Sequence, residues 1–484
     1  MDEFDLIAAL LLVIHAILVI LAAIVISANR KPSSAIAWIL AIVIVPLLGL
    51  IVFWLIGLSK LPARRRNDQA RITGLVLERM QPDTTIEDRT TWPSWLRSVV
   101  TLNATLGALP MVADNRVELL DDYQQSFEAM IEAIDAATHY VNVEFYILVR
   151  DEATTPFFDA LARATARGVT VRVLSDHLSG FLYPGRKETQ QFLSSIGAEW
   201  HGMLPLRPLR GQWQRPDLRN HRKLVVVDGR IGFTGSQNLI DATYNKPKNI
   251  KRGLRWHELM ITLEGPVVRE LDAVFVTDWF SETRQLLPLD IEPARLPPEP
   301  GMADAQVLPS GPSFDADNNL KLFNTLLYNA EERISITSPY FVPDESILLA
   351  LITAATRGLS VELFASEIGD QVLVFHAQRS YYEALLRAGV RIFLYRAPRV
   401  LHSKHFTIDD EIAVIGSSNM DIRSFSLNME LSVMLHGQDI VQRVRRVEDD
   451  YRANSVELRL DEWLSRPARE RAKDNLARLT SSLQ

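Results

Sequence analysis

The residues best suited to chemistry form two copies of one short motif: a histidine, a lysine two positions later and an aspartate five positions after the lysine. The first copy is His221, Lys223 and Asp228, and the second is His402, Lys404 and Asp409. Imidazole exchanges protons near neutral pH and can also act as a nucleophile. A single histidine on a strand is most simply an ordinary polar residue, but two copies with equal spacing favour a shared catalytic function.

Each motif is followed at the same distance by Gly-Ser-x-Asn. Ser236 and Ser417 stand fifteen positions after the histidine of their motif, and Asn238 and Asn419 follow two positions later. The residues in between are typical of strands, in which side chains at i and i+2 share a face. Two paired strands would therefore present imidazole, ammonium, hydroxyl and amide groups together. Two such faces would surround a phosphodiester, whose oxygens accept charge-assisted hydrogen bonds.

The aspartates of the motifs stand at odd spacing from the histidines. In a regular strand Asp228 and Asp409 would face away from the histidines, and Asp228-Gly229 is also a typical hairpin-turn pair. We therefore expect structural roles for both, although they belong to the catalytic motif. Zinc is an alternative function for the histidines, but the chain has no cysteine and no third ligand stands at metal spacing. We expect no metal and no cofactor.

Two stretches of the chain share one order of predicted elements. Strands are predicted at 140–148 and 169–174 in the first stretch and at 334–342 and 359–364 in the second. The intervening helices end at Arg167-Gly168 and Arg357-Gly358, a common C-cap signal. Strands that alternate with helices indicate parallel βαβ units. The predicted fold class is α/β, with two similar sandwich halves packed about a pseudo-twofold axis around a shared site.

The first 60 residues predict a membrane anchor. Residues 6–27 and 35–58 are apolar and each long enough to span a bilayer, with Trp38 and Trp54 as interface anchors, so we expect a transmembrane hairpin. A signal peptide is disfavoured by the acidic leading end, and a buried core hairpin by hydrophobicity on all faces. Basic residues after the second run outnumber those in the link, which favours a cytoplasmic catalytic region in a multi-pass protein.

The remaining boundaries follow from composition. We expect a membrane hairpin at 1–60, a basic linker and lead-in at 61–115, the first half at 116–283, a proline-rich linker at 284–312, the second half at 313–465 and a helical tail of no assigned function at 466–484. The formal net charge of −7 gives no general case for nucleic acid binding. Residues 207–255 nevertheless carry twelve Lys or Arg against three Asp, a patch suited to anionic headgroups.

The paired motifs resemble those of the phospholipase D superfamily. Residues 388–430, which contain the second motif, resemble bacterial cardiolipin synthases, as does the N-terminal hairpin with its Lys-Pro-Ser-Ser-Ala link. The resemblance implies a metal-free transfer between two phosphatidylglycerol molecules through a phosphohistidine, giving cardiolipin and glycerol. By analogy, His221 is the nucleophile and His402 the acid and base, an order that the near-symmetric motifs do not fix. Lys223, Lys404, Asn238 and Asn419 would hold phosphate oxygens, supported by Ser236 and Ser417.

A catalytic imidazole also needs an acceptor on its other nitrogen. Glu430 follows His402 by 28 residues, and Glu258 follows His221 by 37, so each glutamate has a matching place in its own half. We expect these two carboxylates to orient the histidines. The alternative for either glutamate is an exposed charge on a strand.

Several functions remain open from the sequence. A hydrolytic phospholipase D would share the site, and another phosphatidyltransferase could use phosphatidylethanolamine. A nuclease of the same superfamily is disfavoured by the two apolar runs, and a membrane scaffold by the two complete motifs. We expect phosphatidylglycerol and anionic membrane lipids as partners, no nucleic acid, and a location in the bacterial inner membrane. The oligomeric state is left open.

Overall fold

The N-terminal apolar runs form helices in the computed structural model, which describes residues 3–28, 32–57, 60–79, 92–207, 215–288, 296–297, 299–314 and 317–481. The first run is one helix, of which Asp5–Ala28 is long and apolar enough to cross a membrane. The second run is divided at Pro46, whose ring cannot continue a preceding helix. Within the described residues, one helix therefore meets the length of a span, and the two parts of the second run are shorter. Part of the predicted link, residues 29–31, lies outside the described residues.

The chain forms helices on either side of its strands. The helices are α1 (Glu3–Ala28), α2 (Pro32–Ile44), α3 (Pro46–Val52), α4 (Ala63–Arg79), α5 (Ser94–Thr105), α6 (Tyr123–Asp135), α7 (Thr155–Ala166), α8 (Ser179–Leu182), α9 (Arg186–Ser195), α10 (Pro247–Lys251), α11 (Val267–Thr283), α12 (Asn318–Asn329), α13 (Glu345–Thr356), α14 (Val372–Ala388), α15 (Ile422–Ser426), α16 (Gln438–Ala453), α17 (Leu460–Leu464) and α18 (Ala468–Arg478), with a π-helical turn at Phe53–Gly57.

The strands begin after the lead-in helices. They are β1 (Val112–Leu120), β2 (Tyr140–Phe145), β3 (Thr170–Asp176), β4 (Glu199–Met203), β5 (Lys223–Val227), β6 (Ile231–Gly235), β7 (Arg255–His257), β8 (Met260–Glu264), β9 (Ala303–Ser310), β10 (Arg333–Thr337), β11 (Phe341–Val342), β12 (Ser360–Ser366), β13 (Arg391–Tyr395), β14 (Arg399–Leu401), β15 (His405–Ile408), β16 (Ile412–Gly416), β17 (Met420–Asp421), β18 (Glu430–His436) and β19 (Ser455–Leu458).

Fifteen of these strands form one sheet, which gives the chain a mixed α/β fold. Their order is β19-β13-β12-β10-β15-β16-β18-β9-β1-β8-β6-β5-β2-β3-β4. Outward from the central pair β9 and β1, each side continues with the antiparallel strands β18, β16 and β15 or β8, β6 and β5. The parallel strands β10, β12 and β13 or β2, β3 and β4 follow on each side. The predicted βαβ units are therefore present, joined to antiparallel strands that carry the motifs.

The predicted hairpins that carry the motifs are present in both halves. β5 pairs antiparallel with β6, and β15 with β16, so the residues after each histidine run beside those before each Gly-Ser-x-Asn. Helices α11 and α16 each follow the strand that begins after or at the expected glutamate. α11 is buried on nearly all sides and contributes Phe275 and Trp279 to the core. The hairpins are therefore held between a sheet and a buried helix.

Two predicted linkers are parts of the folded body. The proline-rich stretch was expected to be surface linker, but its residues 303–310 form β9, which pairs with β18 and β1. Pro309 is accommodated near the end of that strand. The predicted basic lead-in contains α4, whose Ile72 and Val76 are buried in the same core cluster as α11. Part of the proline-rich stretch, residues 289–295 and 298, lies outside the described residues.

The predicted C-terminal tail is also fixed to the body. Its helix α18 lies against α14, where Asp474 is buried. Asp474 accepts hydrogen bonds from His376 at 2.7 Å and from Arg466 at 2.7 Å, and it lies 3.3 Å from Arg379. The edge strand β19 pairs with β13 just before this tail. The tail is thus part of the second half's packing.

Candidate active site

The two histidines lie just before strands, on segments that cross between the halves. β14, which ends one residue before His402, pairs in parallel with β7, which ends one residue before Glu258. The backbone N–H of His402 donates to the His257 carbonyl at 2.8 Å. In the same way, the backbone N–H of His221 donates to the carbonyl of Met429, at 2.8 Å. Each histidine is therefore carried beside a glutamate of the other half.

The side chains complete this crossed arrangement. Nδ1 of His221 lies 3.0 Å from Oε2 of Glu430, and Nδ1 of His402 lies 2.8 and 2.9 Å from the two carboxylate oxygens of Glu258. The expected orienting glutamates are thus both at the site, but each contacts the histidine of the opposite half. A carboxylate on Nδ1 fixes the proton there and leaves Nε2 as the reactive nitrogen.

Both glutamates are fully buried and yet anionic. Burial alone would raise the pKa of Glu430, but His221 and Lys223 outweigh it and the pKa is lowered. For Glu258, burial acts in the same direction and is outweighed by His402, Lys404 and a hydrogen bond from Ser236, so its pKa is also lowered. A buried charge is tolerated when it is paired and hydrogen-bonded. The site therefore contains two negative charges beneath the two imidazoles.

Burial favours the neutral form of both histidines. Burial lowers the pKa of His221 to about 4, opposed by Glu430 and reinforced by Lys223. Burial also lowers the pKa of His402, with Glu258 opposing and Lys404 reinforcing the shift. A neutral imidazole has a free lone pair on Nε2 and can attack phosphorus. An anionic ligand at Nε2 would raise both values, because it favours the protonated form.

The motif lysines lie beside the histidines and are almost completely buried. Lys223 donates from Nζ to the His221 carbonyl at 2.6 Å, and Lys404 donates to the His402 carbonyl at 2.7 Å. Nζ of Lys404 also lies 3.3 Å from Nε2 of His402. Burial lowers the pKa of Lys223 to about 7 and that of Lys404 to about 8, against the opposing effect of the glutamates. These ammonium groups are placed to stabilise a phosphate anion.

The motif serines do not face the phosphate position that the strand pattern predicted. Ser236 donates to Oε2 of Glu258 at 2.6 Å, and Ser417 donates to Oε2 of Glu430. The hydroxyl of Ser236 also accepts from the backbone N–H of Leu259, and that of Ser417 from the backbone N–H of Leu431, both at 2.9 Å. The two strands end at the preceding glycines, so alternation no longer applies beyond them. The serines therefore hold the carboxylates that orient the histidines.

The glycines before these serines allow the backbone of each Gly-Ser pair to lie very close to the neighbouring backbone. A Cβ on Gly235 would lie 2.3 Å from the Leu259 carbonyl oxygen, and one on Gly416 would lie 2.2 Å from that of Leu431. Gly235 also has a φ of +149°. No other residue fits such a contact without moving the backbone. The Gly-Ser pair thus sets the distance between each serine and its glutamate.

The asparagines lie at the cleft, as expected. Asn238 and Asn419 both line it. Asn238 donates to the hydroxyl of Tyr244 at 2.9 Å, and that hydroxyl donates to Glu258 at 3.1 Å. Oδ1 of Asn419 is buried and has no hydrogen-bond partner among the residues that the structure describes. Asn238 therefore belongs to the hydrogen-bond network that supports Glu258, and both asparagines are placed to contact a ligand in the cleft.

The motif aspartates lie at the far ends of β5 and β15, away from the reactive nitrogens. Asp228 accepts from the backbone N–H groups of residues 138–140 at 2.7–2.8 Å, and Asp409 from those of residues 331–333 at 2.8–3.0 Å. Both have positive φ, +51° and +49°. These hydrogen bonds outweigh the effect of burial and lower the pKa of Asp228. Asp228 and Asp409 thus fix turns, and a catalytic role for either one as a member of its motif stays a prediction.

The middle residue of each motif contacts the helix behind the sheet. Arg222 is buried, pairs with Asp278 of α11 and donates from Nε to the Glu430 carbonyl at 3.0 Å. Ser403 is hydrogen-bonded to the hydroxyl of Tyr451 of α16 at 2.8 Å. Sequence reasoning missed these contacts because it ignored the variable position of the motif. In the first motif, the signal that could have revealed the contact was a charged residue, Arg222, between two positions expected to be buried.

Both histidines open into one cleft of about 670 Å³ that is lined from both halves. Its charged lining residues are Arg219, Lys246, Asp370, Asp421 and Arg423. Aromatic rings stand near the histidines, with Tyr146 at 5.0 Å from the ring of His221 and Tyr340 at 6.0 Å from that of His402. Two neutral imidazoles, two ammonium groups and amides around one cavity suit covalent transfer at a phosphodiester.

The comparisons with known proteins agree with this chemistry. The model of the "Cardiolipin synthase, PLD-like domain" matches residues 130–279 and 323–450, and that of the "Phospholipase_D-nuclease N-terminal" region matches 17–57. The chain is 32% identical to a cardiolipin synthase of Geobacillus kaustophilus over 96% of this chain and 92% of the relative. It is 31% identical to cardiolipin synthase A of Serratia proteamaculans, over 93% and 92%.

The fold is shared with a solved structure. The crystal structure of phosphatidylserine synthase from Haemophilus influenzae Rd KW20 superposes with a TM-score of 0.61 and 16% identity, covering 80% of this chain and all of that one. The two family matches enclose both motifs and both glutamates. By its duplicated motif, its crossed histidine–glutamate pairs and these matches, the chain belongs to the cardiolipin synthase family of the phospholipase D superfamily.

Proposed function

We propose that this chain is a cardiolipin synthase that transfers a phosphatidyl group from one phosphatidylglycerol to the hydroxyl of a second, releasing glycerol. The observation that carries this proposal is the pair of crossed histidine–glutamate contacts at one cleft, 3.0 Å for His221 with Glu430 and 2.8 Å for His402 with Glu258. The cardiolipin synthase relatives, at about 30% identity over nearly the whole chain, support the substrate.

In the first step, Nε2 of His221 attacks phosphorus and the bond from phosphorus to the headgroup glycerol breaks. Glu430 stabilises the positive charge that develops on the His221 ring, since its carboxylate accepts the hydrogen bond from Nδ1–H. The bound phosphodiester raises the pKa of His402, so that its Nε2 carries the proton that the departing glycerol alkoxide needs. The products are a phosphatidyl-histidine and free glycerol.

In the second step, His402 takes the proton from the hydroxyl of the incoming phosphatidylglycerol. The oxygen attacks phosphorus, the bond to His221 breaks, and both histidines return to their first state. Lys223, Lys404, Asn238 and Asn419 hold the phosphoryl oxygens and offset the charge of the transition state. The order of the histidines rests on family analogy, because the two halves offer nearly equal geometry.

The surroundings of the site form part of the same proposal. The two halves are related by a pseudo-twofold axis, since their strands follow one order outward from β1 and β9. α1 and the divided second run, α2 and α3, form a transmembrane hairpin, and Ile26, Ala35 and Ile42 are buried together between them. The catalytic body lies on the cytoplasmic side of the bacterial inner membrane, with anionic phospholipids as its partners.

The test is a product assay with the purified full chain in phosphatidylglycerol vesicles. We expect cardiolipin and glycerol in equal amounts, and no cardiolipin from His221→Ala or His402→Ala. Phosphatidic acid as the main product would instead identify a hydrolytic phospholipase D. Phosphatidylethanolamine, supplied as a second donor in a parallel reaction, tests whether another headgroup can leave. Radiolabelled donor should leave an acid-labile, alkali-stable label on the enzyme, which His221→Ala should not retain.

A further inference from the structure

Large apolar side chains stand exposed at the mouth of the catalytic cleft. Phe181 and Leu182 of the first half are 63% and 70% exposed, and Val372 and Leu373 of the second half are 70% and 58% exposed. Leu182, Val372 and Leu373 also line the cleft. Residues of this size normally avoid water, and clustered exposed apolar groups mark a surface of interaction. We call these four residues the apolar rim.

The apolar rim comes from equivalent positions in the two halves. Phe181 and Leu182 lie in α8, which follows β3, and Val372 and Leu373 begin α14, which follows β12. β3 and β12 are equivalent strands, because each is the parallel neighbour of the strand that pairs with a motif hairpin. Both loops leave the carboxyl ends of these strands, where α/β folds build their sites. The apolar groups therefore flank the cleft from both of its sides.

Cationic side chains accompany the apolar rim. The guanidinium of Arg186 lies 3.6 Å above the centre of the Phe181 ring, and the ammonium of Lys246 lies 5.5 Å from that of Tyr183. Lys246 and Tyr183 also line the cleft. An apolar tip with basic and aromatic neighbours is the pattern of a surface that lies in a bilayer interface. The positive charges complement anionic headgroups.

The size of the cleft points to the same occupant. A volume of about 670 Å³ lies in the range of about 300–1,000 Å³ that holds drug-sized ligands. Such a cleft takes the headgroups and glycerol backbones of two phospholipids but leaves their acyl chains outside. If the chains stay in the bilayer, the mouth of the cleft must reach the depth at which they begin.

We propose that the apolar rim inserts into the bilayer surface around the cleft, so that a phospholipid reaches His221 and His402 without leaving the membrane. The proposal rests on the proposed function for the lipid nature of the ligand. It adds a second membrane contact, which is separate from the N-terminal helices and is made by the catalytic body itself.

The chain has no cysteine, so one introduced cysteine can carry a spin label at a known place. Leu373→Cys reports on the apolar rim, and Leu349→Cys is the matched control, because Leu349 of α13 is also 58% exposed but does not line the cleft. The labelled full-length chains are reconstituted in vesicles of phosphatidylglycerol and phosphatidylcholine. Collision with oxygen and with a water-soluble nickel chelate is then measured by electron paramagnetic resonance.

We expect the label at position 373 to collide with oxygen more than with nickel, and the label at 349 to behave as in water. Equal water exposure at both positions would overturn the proposal. So would shielding of position 373 in detergent micelles at high protein concentration that dilution abolishes, since that result would identify a second copy of the chain as the occupant.

An activity ratio tests the same surface without a label. Phe181→Ser should lower the rate on vesicle lipid relative to the rate on dispersed short-chain phosphatidylglycerol by about fivefold, because interfacial binding scales with buried apolar area. Leu349→Ser should leave that ratio as in the unsubstituted chain, and an equal ratio for both variants would count against the rim.

If the unsubstituted chain makes cardiolipin while position 373 stays in water, the apolar rim alone is refuted. If position 373 inserts but no cardiolipin forms, the proposed function alone is refuted.

Discussion

Glu258, in the first half of the chain, accepts the Nδ1 hydrogen bond of His402, in the second half, at 2.8 Å. The reason is local, because Glu258 directly follows β7, which pairs with β14 just before His402. The bridge between Asn220 and Met429 brings His221 to Glu430 in the same way. Neither half alone therefore contains a complete histidine–carboxylate pair, and formation of the site requires both halves to pack correctly.

Removal of either glutamate's charge should slow catalysis without preventing folding. Glu258→Gln and Glu430→Gln keep the side-chain volume but lose the acceptor that stabilises an imidazolium. We expect a fall in kcat of about 10–100-fold for each, the usual effect of removing a group that orients a functional histidine. Steady-state cardiolipin synthesis measures it. The control is Glu457→Gln, an exposed glutamate that pairs with Arg391, and an equal loss in this variant would contradict the assignment.

The hydrogen bonds from the serines predict which substitutions depend on each other. Ser236 donates to Glu258, so Ser236→Ala and Glu258→Gln should be non-additive in kcat, because they weaken one network. Ser417→Ala should be additive with Glu258→Gln, because Ser417 donates to Glu430. Double-mutant cycles for kcat decide this. The reverse pattern would show that Ser417, and not Ser236, supports Glu258.

The sequence predicted the composition of the site better than its connections. The two histidines and both asparagines line one cleft. The motif lysines and both glutamates contact the histidines, and the hairpins that carry the motifs are present. The exchange of glutamates was not predictable, since no spacing along the chain specifies that β7 pairs with β14. The serines were misplaced because strand alternation was extended past Gly235 and Gly416, where the strands end.

The errors in the fold have related causes. Prolines around residues 303–310 indicated a linker, but Pro309 lies near the end of β9, where its missing N–H is tolerated. The second apolar run was expected to be one span, but Pro46 divides it into two short helices. The predicted strands at 169–174 and 359–364 lie within a residue or two of β3 and β12. Patterns of apolar residues thus located the buried strands, whereas prolines gave misleading boundaries.

The buried lysines predict how activity depends on pH. In the free enzyme the pKa of Lys223 is about 7 and that of Lys404 about 8, both lowered mainly by burial. Raising the pH through these values removes the positive charges that attract the phosphodiester. We therefore expect kcat/KM to fall as the pH rises from 7 to above 8. It should fall less in Lys404→Met, whose kcat/KM is already lower at pH 7. A profile of kcat/KM that is flat over this range would contradict it.

The glycines before the serines should be intolerant of even one added methyl group. Gly416→Ala places a Cβ 2.2 Å from the Leu431 carbonyl oxygen, so β16 must move from β18 and Ser417 from Glu430. We expect a large fall in kcat and in thermal stability. Gly74→Ala on α4 is the control, because, apart from adjacent residues and the backbone of its own helix, no described atom lies within 4 Å of the added Cβ. That change should stabilise the chain by about 0.5–1 kcal/mol, and equal effects of the two variants would refute the steric argument.

The motif aspartates should matter for stability rather than for chemistry. Asp228→Asn weakens the acceptor of three backbone N–H groups at residues 138–140. A hydrogen bond to a charged group contributes about 1.5–3 kcal/mol, so we expect a loss of that order in the free energy of unfolding. Denaturant unfolding measures it, and kcat per folded molecule should change little. Loss of kcat with unchanged stability would place Asp228 among the catalytic residues.

Substitutions at the variable position of the two motifs should lower the free energy of unfolding by unequal amounts. Arg222 pairs with buried Asp278 and supports the backbone of Glu430, so Arg222→Met leaves an uncompensated carboxylate inside the protein. Breaking such a pair costs about 3–5 kcal/mol, whereas Ser403→Ala removes a neutral hydrogen bond to Tyr451 that contributes about 0.5–1.5 kcal/mol. Denaturant unfolding should rank the two variants in that order.

A double variant separates stability from catalysis. Adding Asp278→Asn to Arg222→Met should recover part of the lost free energy of unfolding, because it removes the unpaired carboxylate charge. The kcat of Arg222→Met should be low and should stay low in the double variant, since the backbone carbonyl of Glu430 still lacks the hydrogen bond from Arg222. Full recovery of kcat would show that Arg222 acts only on stability.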